Sequence, residues 1–181
     1  MYIFVLKIVE STTVDGPGLR NSVYCAGCVN QCPGCHNPQS WDIMAGRPMH
    51  VEEIAQRLLS DDMCNITFTG GDPMYQAKGF TELAKIIKSQ SKKSIWCYSG
   101  YTFEEIIKDQ DKRALLPYID ILVDGRFVQA LRNTDLLFRG SSNQRLIDVQ
   151  KSLAKGRAIL YDYDPYPYSK IIDNSYHIQH L

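Results

Sequence analysis

Apolar positions recur along the chain with two different periods, and the change from one to the other divides it into elements. Segments 2–9 and 21–24 are rich in β-branched and aromatic residues and read as strands. Asp15-Gly16-Pro17-Gly18 between them is a turn sequence. From His50 the period lengthens: Val51, Ile54, Ala55, Leu58 and Leu59 lie on one face of a helix, and Phe80, Leu83, Ala84 and Ile87 repeat that spacing. Short apolar runs alternate with these helices. They are 65–69 before Gly70-Gly71, 94–98 before Gly100, and 119–123 before Asp124-Gly125. Thr102, with Glu105 three residues on, predicts a capping box for a helix whose apolar side is Ile106 and Ile107. A short helical stretch is expected over 150–155.

Strands that alternate with helices imply parallel strands joined by crossovers, the signature of the α/β class. Four to six such units in 181 residues fall short of a closed eight-unit barrel of roughly 250 residues. A single-domain open, partial βα barrel over 1–155 is expected, with chemistry at the C-terminal ends of its strands. Gly70, Gly71, Asp72, Ser99, Gly100 and Asp124 fall there. Beyond it the composition shifts, and 156–181 reads as a tyrosine-rich tail carrying Tyr161, Tyr163, Tyr166, Tyr168 and Tyr176, with Pro165 and Pro167 among them. Such a tail either packs on the body through its aromatic faces or docks a partner.

Twenty basic and twenty acidic residues cancel, so no bulk field draws the chain to nucleic acid or to an anionic membrane. The apolar run 2–6 is shorter than a signal-peptide core and no stretch is long enough to span a bilayer, which predicts a cytoplasmic protein. There, four cysteines within eleven residues, Cys25, Cys28, Cys32 and Cys35, read as a metal site. Zinc knuckles usually stand roughly 12 to 20 residues apart, and here the central gap is three residues. The set is crowded for one small ion and better suited to a cubane, whose separate corners each take one thiolate. A four-cysteine iron-sulfur carrier and a zinc-stabilised interaction module remain open as non-enzymatic readings. Cys64 and Cys97 read as buried apolar residues.

Cys28-x3-Cys32-x2-Cys35 occurs together with Asp15-Gly16-Pro17-Gly18-Leu19-Arg20, Gly70-Gly71-Asp72-Pro73, Trp96 through Gly100-Tyr101, Val123-Asp124-Gly125-Arg126-Phe127 and Arg139-Gly140-Ser141-Ser142-Asn143-Gln144-Arg145. In that order the motifs resemble the radical S-adenosylmethionine (SAM) enzymes, and among them the family that activates anaerobic ribonucleotide reductase. The resemblance covers roughly residues 5–150. It implies that Cys28, Cys32 and Cys35 ligate three irons of a 4Fe-4S cluster whose fourth iron chelates SAM. One-electron cleavage then gives a 5'-deoxyadenosyl radical, chemistry that belongs to cluster and SAM rather than to a catalytic side chain. The resemblance also implies that Gly34, His36 and Gly71 contact SAM. Gly70 and Gly71 would let the backbone approach the methionine moiety, and Asp72 would stabilise its ammonium.

Ser99, Asp124, Arg126, Arg139, Asn143, Gln144 and Arg145 are further candidates for contact with the cofactor, the cluster's charge or the partner protein. Asp124 and Arg126 read equally well as a structural salt bridge. Many radical SAM enzymes carry an aromatic residue before the third cysteine, where this chain has Gly34, so adenine packing falls to another group such as His36. Cys25 is additional to the motif and reads best as a small core residue. The implied partners are the large subunit of anaerobic ribonucleotide reductase, which would lose one Cα hydrogen from a glycine near its C-terminus, and a flavodoxin- or ferredoxin-like electron donor. Activation of pyruvate formate-lyase, or a small-molecule rearrangement of the deazapurine type, would keep the cofactor and change the substrate.

Overall fold

The computed structural model describes residues 1–163. Its elements are β1 (Tyr2–Thr12), β2 (Arg20–Cys25), β3 (Arg47–His50), α1 (Val51–Leu58), β4 (Asn65–Gly70), α2 (Ala77–Gln90), β5 (Ile95–Tyr98), α3 (Phe103–Ile106), α4 (Gln110–Arg113), β6 (Ile121–Asp124), β7 (Arg145–Asp148) and α5 (Val149–Lys155). The strands form one sheet in the order β3-β1-β2-β4-β5-β6-β7. β2, β4, β5 and β6 are parallel, whereas β1, β3 and β7 pair antiparallel. The sheet is open and mixed, an α/β fold with four parallel strands, at the low end of the repeat count that the alternation implied.

Two strands escape the apolar pattern. β3 is Arg-Pro-Met-His, an edge strand in which proline is tolerated because one side needs no partner. β7 lies at the end of a polar run that masks Leu146 and Ile147. Thr102 forms its capping box: its hydroxyl accepts from the Glu105 amide, and the Glu105 carboxylate accepts from the Thr102 amide at 2.7 Å.

The two faces of the sheet differ in chemistry. On one, Val23, Ile66, Phe68 and Cys97 pack with Ile54, Leu58, Phe80, Leu83 and Ile87 of α1 and α2 in a continuous core. Phe68 and Phe80 meet at 4.9 Å between ring centroids. Side chains alternate along a strand, so Arg20, Ser22 and Tyr24 of β2, Thr67 and Thr69 of β4, and Trp96 and Tyr98 of β5 belong to the opposite face. Register aligns them: Ser22 lies beside Thr67 and Thr67 beside Trp96, while Tyr24 lies beside Thr69.

Part of that second face is covered. Residues 158–161 follow β7, with the Asp148 amide donating to the Ile159 carbonyl and the Tyr161 amide to that of Leu146. Tyr161 stands edge-on to Trp96 at 6.4 Å, and Tyr163 edge-on to Phe138 at 5.3 Å. Tyr166, Tyr168 and Tyr176, with Pro165 and Pro167, lie outside the described residues. Within the described residues no helix is long and apolar enough to cross a membrane.

Candidate metal centre

The chain leaves β2 at Cys25 and passes through loop 26–37, which carries the other three clustered cysteines. Backbone hydrogen bonds hold the loop on two sides. The amides of Gly27 and Cys28 donate to the carbonyls of Ser40 and Trp41 at 2.7 and 3.1 Å, and those of Gly71 and Asp72 donate to the carbonyls of Cys25 and Gly27 at 2.7 and 2.9 Å. The Gln76 side chain donates to the carbonyls of Phe4 and Ala26.

This packing explains the two adjacent glycines. Gly70 has φ +107°, and a Cβ there would stand 2.4 Å from the Cys25 nitrogen; one on Gly71 would stand 2.5 Å from the Gly27 oxygen. The close approach is between the end of β4 and the start of the cysteine loop.

Cys28, Cys32 and Cys35 are half-buried free thiols, and Cys25 is wholly buried. Backbone N–H groups lie against each of the three sulfurs: Asn30 and Gln31 at Cys28, Phe127 at Cys32, and Asn37 at Cys35, the last at 3.4 Å. Burial raises the thiol pKa of Cys28 and of Cys32, and these N–H groups oppose it. Cys25 is raised further, first by burial and then by the charge of Asp72. Among the described residues no three His, Cys, Asp or Glu side chains converge on a single-ion site. Three thiols on one loop, each with an N–H donor at sulfur, form a donor set of the kind that ligates an iron-sulfur cluster.

Asp72 follows the glycines and is enclosed. One carboxylate oxygen accepts from the Met74 amide and the Ser99 hydroxyl, both at 3.0 Å; the other accepts from the Gly100 amide at 3.0 Å and the Asn30 side chain at 3.2 Å. Burial raises its pKa to about 6 against the pull of these donors. Asp72 thereby ties the ends of β4 and β5 to the cysteine loop.

Beside the loop, on the second face of the sheet, lies a cavity of about 450 Å³ lined by His36, Asn37, Tyr24, Thr69, Tyr98, Asp15, Phe138 and Arg139 among others. The Tyr24 hydroxyl donates to both oxygens of Asp15 at 2.7 Å. Burial raises the phenols of Tyr24 and Tyr98, and Asp15 adds to both shifts. Arg20 lies in the same face, 2% exposed, donating from Nε to Thr67 at 2.6 Å and from Nη2 to the Ile66 carbonyl at 2.6 Å. Buried polar atoms without a partner among the described residues include Ser22 Oγ, Trp96 Nε1, Arg139 Nε and Asn30 Oδ1.

The sequence-derived candidates separate into two groups. Cys28, Gly70, Gly71, Asp72 and Ser99 meet at the strand ends, with Cys32, Gly34, Cys35 and His36 on the adjoining loop. Gly34 is exposed near Gln129, and His36 is exposed with its ring 6.0 Å from Phe127. The second group ties β6 to β7. Asp124, fully buried, accepts from the Phe103 amide at 2.7 Å and from Arg145, which also pairs with Glu104. The cationic partner of Asp124 is thus Arg145, not Arg126, because the antiparallel pairing of β6 and β7 sets Asp124 directly opposite Arg145.

Arg126 is exposed near Cys32, and its carbonyl accepts from Asn143. Gln144 accepts from the amides of Gly140 and Ser141 and donates to the Gly125 carbonyl. Arg139 donates to the Gln144 carbonyl and lines the cavity. Asp15, Tyr24, Thr69 and Tyr98 were not among the candidates. Their signal is an alternation of polar or amphipathic residues, Arg20-Ser22-Tyr24 and Thr67-Thr69, inside strands that a fully covered parallel sheet would make apolar on both sides.

Residues 14–147 match the family described as a 4Fe-4S single cluster domain. The chain is 37% identical over 140 residues to the anaerobic ribonucleoside-triphosphate reductase-activating protein of Vibrio cholerae, covering 72% of this chain and 88% of that protein. It is 32% identical over 149 residues to the protein of that name from Haemophilus influenzae (77% and 94% covered), and 35% identical over 146 residues to that of Enterobacteria phage T4 (77% and 90% covered). These matches span nearly the whole length of the relatives, and the chain belongs to the anaerobic ribonucleoside-triphosphate reductase-activating proteins, radical SAM enzymes built on a single-cluster 4Fe-4S domain.

Proposed function

We propose that Cys28, Cys32 and Cys35 each bind one iron of a 4Fe-4S cluster, that SAM binds at the remaining corner, and that the enzyme installs a glycyl radical on the large subunit of anaerobic ribonucleotide reductase. The observation that carries this reading is the arrangement of the three thiols: half-buried, met by backbone N–H groups, and on a loop whose His36 and Asn37 line a cavity of about 450 Å³. When bound, cluster and SAM supply one-electron cleavage of a carbon–sulfur bond and, through it, removal of a carbon-bound hydrogen.

The chain's own residues position and shield. Gly70 and Gly71 bring the end of β4 against the cysteine loop, and Asp72 holds Ser99 and Gly100 to it. Gly34, His36 and Gly71 are the SAM contacts in this reading. The polar face of the sheet, in a partial βα barrel of the radical SAM type, admits an extended protein segment between Tyr24, Tyr98 and Arg139. Arg126, exposed near Cys32, favours approach of an acidic electron donor of the flavodoxin or ferredoxin kind. The working domain is 1–155, with 156–181 as an appended tail. All six cysteines are free, in keeping with a reducing cytoplasm.

A four-cysteine carrier would need Cys25 as its fourth ligand. Burial disfavours the thiolate of Cys25, and its carbonyl is engaged by Gly71. Cys25→Ala is therefore expected to keep the cluster, whereas Cys28→Ala, Cys32→Ala and Cys35→Ala each lose it, as read by iron content and visible absorbance after anaerobic reconstitution. The decisive assay mixes reduced protein, SAM and the reductase and looks for the glycyl radical by electron paramagnetic resonance. A signal with pyruvate formate-lyase but none with the reductase would reassign the substrate, and a protein that takes only zinc would end the proposal.

A further inference from the structure

Asn30 is absent from the candidates drawn from the sequence, yet it is the side chain by which the cysteine loop reaches Asp72. Its Nδ2 donates to Asp72 Oδ2 at 3.2 Å, while its backbone N–H lies against the sulfur of Cys28. Asp72 in turn accepts from Ser99 and from the Gly100 amide, each at 3.0 Å. The fit around the amide is tight: a Cβ on Gly100 would stand 2.2 Å from Asn30 Nδ2.

Because the carboxylate of Asp72 accepts, the amide must turn its nitrogen toward it. That leaves Oδ1 buried with no donor among the described residues. A fold that needed only packing here would be better served by an apolar side chain, so an orphaned acceptor next to the thiols marks a place where a donor arrives with a ligand.

Resting on the function proposed above, we infer that Asn30 is a positioning residue for the bound cofactor. It couples the Cys28 end of the cysteine loop to the Asp72–Ser99–Gly100 network, and its free acceptor oxygen takes an N–H that the cofactor brings.

The test compares wild type, Asn30→Ala and Asn30→Asp after loading with iron and sulfide in the absence of air. Three quantities are read: the midpoint potential of the cluster without SAM, the SAM concentration giving half of the change in the reduced cluster's paramagnetic signal, and the melting midpoint of the metal-free protein. Both variants are expected to load iron and to melt close to wild type. Asn30→Ala is expected to need on the order of tenfold more SAM. Asn30→Asp, which sets a second carboxylate against Asp72, should need more still and should lower the potential.

Wild-type SAM dependence and potential in Asn30→Ala would overturn the inference. So would equal losses in both variants that merely track a lower melting midpoint. Should Asn30→Ala fail to load iron, Asn30→Gln decides: it keeps the amide but displaces it, so a weakened SAM response supports the inference and a wild-type response refutes it. A wild-type protein indifferent to SAM would sink the functional reading and this inference with it, whereas a wild-type response to SAM that is unchanged in Asn30→Ala sinks the inference alone.

Discussion

Asp72 sits at the junction of three segments with its carboxyl pKa raised to about 6 by burial, above the ordinary value of 3.8. Between those two values the folded chain holds a proton that the unfolded chain has released. Stability therefore falls as pH rises through that window. The metal-free protein should lose unfolding free energy between about pH 4 and 6 relative to Asp72→Asn, by at most about 1.4 kcal/mol per pH unit. Urea denaturation of both proteins across that range measures it, and parallel curves would refute the assignment.

Arg20 is the second residue-scale case. Its guanidinium is buried, its pKa lowered to about 10 chiefly by that burial, and among the described residues no carboxylate forms an ion pair with it. Carbonyls and a hydroxyl satisfy it instead, so Arg20→Met should cost about 2–4 kcal/mol by leaving the Ile66 carbonyl and Thr67 short of a donor. The cysteine cluster was legible in the sequence because its spacing is itself the signal. Arg20, Tyr24 and Asn30 were not, because their roles come from neighbours 42 to 47 residues away, at Thr67 and Asp72, or from Asp15 across a turn.

Between elements, the ion pair across β6 and β7 governs how the far edge closes. The Asp124 side chain is 1% exposed and that of Arg145 is 33% exposed. Removing the cation strands a buried carboxylate. Arg145→Met should lose about 3 kcal/mol, while Glu104→Gln, removing only the outer, half-exposed partner, should lose less than about 1 kcal/mol. Guanidinium denaturation separates them, and equal losses would contradict this division. Thr102→Ala, deleting one arm of the capping box, should cost about 1 kcal/mol. Helices α1, α2 and α3 and the parallel strands followed from apolar period, a capping box and glycine-bearing ends; the polar turn α4 carries no such signal. β7 was hidden because Arg139, Asn143, Gln144 and Arg145 resembled a ligand-binding knot, whereas Asn143 and Gln144 hold the segment to the turn after β6 and Gln144 also closes it on itself.

For the molecule as a whole, the sequence carries the alternation of strands and helices more clearly than the unequal character of the sheet's two faces. Helices cover the apolar face. Over the other, Trp96, Phe138, Tyr161 and Tyr163 form a separate aromatic cluster that borders the cavity wall. Tyr161→Ala in a Trp41→Phe background should therefore shift Trp96 emission to longer wavelength, and an unchanged spectrum would mean that the segment leaves Trp96 dry without covering it.

The cysteine loop is pinned by peptide groups at Ser40, Trp41, Cys25 and Gly27 and by the amide of Gln76. None of these ties passes through iron. Oxygen that strips the inorganic core should therefore leave an intact mould, and repair becomes a matter of restocking rather than resynthesis. After exposure to air, the chain is expected to take up iron and sulfide again without refolding, as visible absorbance on anaerobic reconstitution would show.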